Sequence, residues 1–98
     1  MAAMKREDFI CTIGFQGDVA IVDGGTRRRY GKRSPGELLE EGLYRQAYCA
    51  ALYDDDLESF RIAFSEKSGI ELSSVAALQR LFGVFEVPES GVKVKVIS

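Results

Sequence analysis

Hydrophobic and polar positions change period along this chain, and the changes mark its elements. Phe9, Cys11, Ile13 and Phe15 alternate with Ile10, Thr12 and Gly14, the period of two of a strand over residues 9–15. Gln16-Gly17-Asp18 is a turn signal, and the run Val19-Ala20-Ile21-Val22 follows it. Two such runs around a short glycine-containing link predict a β-hairpin. Asp23-Gly24-Gly25 then reads as the end of the second strand.

From Ser34 the period becomes helical. Ser34-Pro35-Gly36-Glu37 is a capping box with proline at the first helical position, where a missing N–H costs nothing. A helix is predicted from there to about Tyr53. At 100° per residue its apolar arc holds Leu38, Leu39, Gly42, Leu43, Ala47, Cys49, Ala50, Leu52 and Tyr53. Tyr44 and Tyr48 fall on the opposite face with Glu37, Glu40 and Glu41. Asp54-Asp55-Asp56 breaks the pattern and offers an N-cap for a helix carrying Leu57, Phe60, Ala63 and Phe64, ended by Gly69. Ile62 lies off that stripe. A further helix follows Ser73 or Ser74, with Val75, Leu78, Leu81 and Phe82 on one face and Gly83 behind it.

The last segment, VKVKVI, alternates again, and Lys93 and Lys95 face water if the valines face inward. The order strand, strand, helix, helix, helix, strand predicts an α+β fold. In it an N-terminal antiparallel β-hairpin, three helices and a C-terminal strand complete a small three-stranded sheet. Ninety-eight residues are expected to make one domain, 1–98, with residues 1–7 extended or disordered.

Composition changes this picture in three places. The chain has two cysteines, Cys11 and Cys49, at no metal-ligand spacing, and no histidine. A Ser-His or Cys-His nucleophile pair within the chain is thereby excluded, and so is the commonest metal ligand. Both thiols are expected buried and free. No stretch approaches the ~18 consecutive apolar residues of a membrane span, and MAAMKRED has no signal-peptide pattern, so the expected location is cytoplasmic. Charge is divided along the chain: residues 1–33 carry seven Lys/Arg and four Asp/Glu, whereas residues 34–90 carry four and eleven. That division bears on partners, not on fold.

Three groups of residues are candidates for function. Arg27-Arg28-Arg29-Tyr30-Gly31-Lys32-Arg33 holds five positive charges and no negative one. Arginine matches phosphate geometry and Tyr30 offers a stacking surface. With Lys93 and Lys95 this loop is the candidate anion or nucleic-acid site. A solvated loop explains the same residues, and the pI of about 5.1 runs against a nucleic-acid-binding domain. Tyr44, Tyr48, Ile62, Phe85 and Val87 have no assured place in the core and are the candidate interaction patch. The acids Asp54-Asp55-Asp56 lack the glycine and glutamate spacing of a calcium loop and read as a helix cap. No metal site and no cofactor is expected.

Val22-Asp23-Gly24-Gly25-Thr26 resembles the phosphate-contacting Asp-Gly-Gly-Thr turns of the actin-like sugar-kinase and ATPase superfamily. Those proteins enclose a nucleotide between two large lobes, which 98 residues cannot build. Here the segment reads as a strand-ending turn. With no catalytic signature, the expectation is a non-enzymatic protein-interaction module that partners itself or another protein. The alternative is a nucleic-acid-binding or regulatory protein using residues 27–33.

Overall fold

The computed structural model describes residues 4–88 and 92–97. Among these residues the fold is α+β, with a three-stranded mixed sheet and six helices where three were expected. The residues gather in two compact units. One comprises the chain up to Arg33 together with Val87 onward, and the other is Ser34–Glu86.

The first unit holds α1 (Arg6–Ile10), β1 (Thr12–Gln16), β2 (Val19–Asp23), α2 (Gly24–Tyr30) and β3 (Lys93–Ile97). β1 and β2 form the expected antiparallel hairpin, with Phe15 opposite Ala20 and Thr12 opposite Val22. The register shifts between Thr12 and Gly14, so Ile13 is the extra residue of a β-bulge. β3 joins the other side of β2 in parallel, pairing Val94 with Ala20 and Val96 with Val22. Paired residues share a face, so Phe15, Ala20 and Val94 lie on one side and Ile21 and Lys95 on the other. Ala20 and Val22 are fully buried.

Two expectations for this unit are corrected. Arg6 and Glu7 open α1, so the segment before Asp8 is helical from Arg6 on; Lys5 at the N-cap is extended and Met4 is buried. Residues 1–3 lie outside the described part. The apolar pair Phe9-Ile10 accordingly ends a helix and does not begin a strand. The second correction concerns the loop after β2, which is the helix α2. Asp23 occupies its N-cap, and the carboxylate accepts hydrogen bonds from the Gly25 amide at 3.0 Å and the Thr26 hydroxyl at 3.0 Å. These bonds hold its pKa below the ordinary carboxylate value, the Thr26 hydroxyl contributing most. A Cβ on Gly24 would sit 2.9 Å from the Ile97 carbonyl oxygen, so only glycine lets β3 pass there.

The second unit holds α3 (Pro35–Glu40), α4 (Tyr44–Tyr53), α5 (Leu57–Ser68) and α6 (Val75–Phe82). The capping box forms as expected: the Glu37 amide donates to Ser34 Oγ at 3.1 Å, and the Ser34 amide donates to Glu37 Oε1 at 3.1 Å. The helix it starts is shorter than expected. Gly42 adopts a left-handed φ of 79° and divides the predicted 35–53 helix into α3 and α4. Gly69 and Gly83 close α5 and α6 in the same left-handed conformation. Asp56 stands at the N-cap of α5 but makes no side-chain cap bond there, whereas Ser74 caps α6 by accepting from the Ala77 amide.

The core of this unit is aromatic. Tyr48 stacks on Phe82 with ring centroids 4.5 Å apart, and Phe60 and Phe64 complete the cluster at 5.4–6.2 Å. Such offset and edge contacts add to the area these rings remove from water. Leu38, Ala47, Ala50, Ala51 and Leu78 are fully buried around the unit's core.

Candidate interaction surface

Helix α2 reorganises the basic run. Arg27, on its last turn, faces α1: its Nε lies 2.7 Å from Asp8 Oδ1, an ion pair off the line of a hydrogen bond. Its Nη2 donates to Glu7 Oε1 at 3.4 Å. The Asp8 side chain is only 9% exposed, so this pair fastens α1 to α2. Arg33 lies over the Tyr30 ring at 5.8 Å, a cation–π contact on one face of the ring offered for base stacking. Arg28, Arg29 and Lys32 are exposed.

Lys93 and Lys95 do not extend that cluster. Strand alternation places them on the sheet face of Val19 and Ile21. The start of α2 lies on the other side, where a Cβ on Gly24 would be 3.1 Å from Val96 Cγ1. The seven candidate cations therefore separate into a structural one, Arg27, the half-buried Arg33 over Tyr30, an exposed group of Arg28, Arg29 and Lys32 at the end of α2, and two lysines on the opposite face of the sheet.

The candidate patch also divides. Tyr48 is corrected outright: it is fully buried at the centre of the aromatic cluster, and its hydroxyl donates to the Val84 carbonyl. Burial pushes its pKa up to about 12. The break at Gly42 is the reason, because it resets the phase of α4 relative to α3. Tyr44 is 38% exposed and sets its edge against Phe64 at 5.6 Å. Ile62 is half exposed on α5, in the wall of an open groove of about 460 Å³. Phe85 is exposed in the helical unit, whereas Val87 is half-buried and belongs to the sheet unit.

A further set of exposed apolar residues lies outside the candidates. Ile13 is 63% exposed and Phe15 52%, and Val94, Val96 and Ile97 of β3 are exposed as well. All five sit on the two edge strands of the sheet. A signal was present in the sequence, since both strands carry bulky residues and only one further strand exists to share them.

Cys11 and Cys49 are buried and free, as expected. Burial, helped by the Asp23 carboxylate, pushes the Cys11 thiol up to about 11, and burial raises Cys49 too. Both are held as thiols, away from the nucleophilic thiolate. Among the described residues no group of three Cys, Asp or Glu gathers as a metal site, and no helix is long and apolar enough to cross a membrane.

No protein-family model, curated protein or solved structure matches this chain.

Proposed function

We propose that this chain is a small protein-interaction module that associates with itself. The observation that carries the reading is the set of exposed bulky apolar side chains on the edge strands, Phe15 on β1 with Val94 and Val96 of β3 on one face of the sheet, Ile97 on the other face and Ile13 at the bulge. Exposed apolar groups are common singly, but concentrated on one small sheet they favour a partner that removes them from water. An edge strand also presents unpaired N–H and C=O groups to a partner chain. Exposed Tyr44, Ile62 and Phe85 add contact area on the helical unit. Two free, buried thiols support a reducing compartment such as the cytoplasm.

Nucleic-acid binding draws less support. Arg27 is engaged by Asp8 and Glu7, Arg33 lies over one face of Tyr30, and Lys93 and Lys95 stand away from the start of α2.

Sedimentation equilibrium over a micromolar to submillimolar range tests the reading. The expected result is an average mass that rises with concentration for the native chain. Ile13→Ser with Phe15→Ser is expected to return it to the monomer mass with an unchanged circular dichroism spectrum. A native chain that stays monomeric throughout overturns the proposal.

A further inference from the structure

The groove beside Ile62 lies between α5 and the segment leading into α6. Ile62 and Leu72 give it apolar walls, Ser65 contributes to its lining, and Glu66 and Glu71 are exposed at it. Arg61 is the cation of this lining, but its charge is already engaged. Its Nη1 donates to the Leu72 carbonyl at 2.7 Å, and its Nε donates to Glu58 Oε2 at 3.1 Å. Glu66 and Glu71 make no ion pair among the described residues. The Ser65 hydroxyl oxygen is buried without a hydrogen-bond partner. Apolar walls with uncompensated carboxylates suit one chemistry: an aliphatic stem ending in a positive charge.

The sheet unit presents that chemistry. Its residues include nine Lys/Arg against five Asp/Glu, whereas the helical unit has four against ten. Arg29 and Lys32 stand three residues apart at the end of α2, exposed and without an ion pair among the described residues. Arg27 is committed to α1.

We propose that the groove walled by Ile62 and Leu72 receives Arg29 and Lys32 from a second copy of this chain, with Glu66 and Glu71 as their counter-charges. The proposal rests on self-association and adds its ionic contact. Two such contacts related by a two-fold axis close a dimer, and a single unreciprocated contact propagates a chain of copies. The attraction is screened by salt, so assembly weakens as ionic strength rises.

Charge reversal tests the contact in trans. One variant carries Arg29→Glu and Lys32→Glu, the other Glu66→Lys and Glu71→Lys. Each alone is expected to weaken self-association by about tenfold or more, and an equimolar mixture is expected to restore it. Arg29→Gln with Lys32→Gln removes charge without reversing it, and is expected to give a smaller loss in the same direction. This milder variant keeps the test decisive if a reversed chain fails to fold. A native chain that never associates overturns the self-association reading and this contact with it. Association that both variants leave intact overturns the contact alone, as does loss in each variant without recovery on mixing. A low-salt mobility shift of duplex or single-stranded RNA or DNA that Arg29→Glu and Lys32→Glu abolish, with self-association unchanged, assigns these cations to nucleic acid and also overturns it.

Discussion

In the helical unit Phe60 and Phe64 are buried and Tyr48 lies flat against Phe82, whereas in the sheet unit Ile13 and Phe15 stand in solvent. The two units draw on the same kinds of side chain and dispose of them differently. Four short helices turn their apolar stripes toward one another and close around four rings. A three-stranded sheet has two faces and two edges, and here Ala20 and Val22 are covered while the outer strands are not. Aromatic packing thus dominates one side of the comparison, whereas the other combines buried Met4, Phe9, Ile10, Cys11, Ala20 and Val22 with a few polar fastenings. The fastenings of the sheet unit are the Arg27–Asp8 pair, the Asp23 cap and the Thr12 hydroxyl donating to the Asp8 carbonyl at 2.7 Å.

The largest expected effect breaks the helical side of this contrast. Phe60→Ala removes a ring that touches Tyr48, Phe64 and Phe82. It is expected to cost about 3–5 kcal/mol in denaturant unfolding. Native-state hydrogen exchange should show the loss first in α4, α5 and α6. An equal rise in exchange across β1 and β2 would mean that the units unfold as one, and the contrast would then concern surface alone.

Asp8→Asn probes the sheet side and is expected to cost about 1–3 kcal/mol, because it leaves the half-buried Arg27 with Glu7 as its one remaining carboxylate. Exchange should rise in α1 and α2 while α4 stays protected. A melt unchanged by this substitution would remove the ion pair from the list of fastenings. The smallest effect sharpens the comparison at the first residue of the helical unit. Ser34→Ala is expected to cost ~0.5–2 kcal/mol in thermal unfolding, and Ser34→Gly less, since glycine serves well at an N-cap.

The Ser34 cap was legible because its cause is local: serine, proline and glutamate within four residues determine where the helix begins. The hairpin and the final strand were legible for the same reason, from alternation and turn glycines. In the sequence Gly42 fits a small position on a continuous apolar arc, since glycine is tolerated inside a helix at modest cost. Its left-handed φ rotates everything after it, which carried Tyr48 from the predicted polar face to the middle of the core. Helix α2 was hidden by Gly24-Gly25, whose composition signals a turn, while the Asp23 carboxylate captures the Gly25 amide and starts a helix. The ion pair of Arg27 joins residues about twenty apart in sequence, and no local pattern announces it. The basic run therefore looked like one feature although its members have different work.

The parallel pairing of β3 with β2 has a consequence in time. Val19 meets Lys93, about seventy residues later in the chain, with the whole helical unit encoded between them. At ribosomal rates that interval lasts roughly 4–14 s. The helical unit is a contiguous stretch that can condense as it emerges, whereas the hairpin must wait with the far edge of β2 unpaired. During those seconds the nascent hairpin offers a docking edge to any extended segment nearby, including the β3 of a neighbouring nascent chain on the same message.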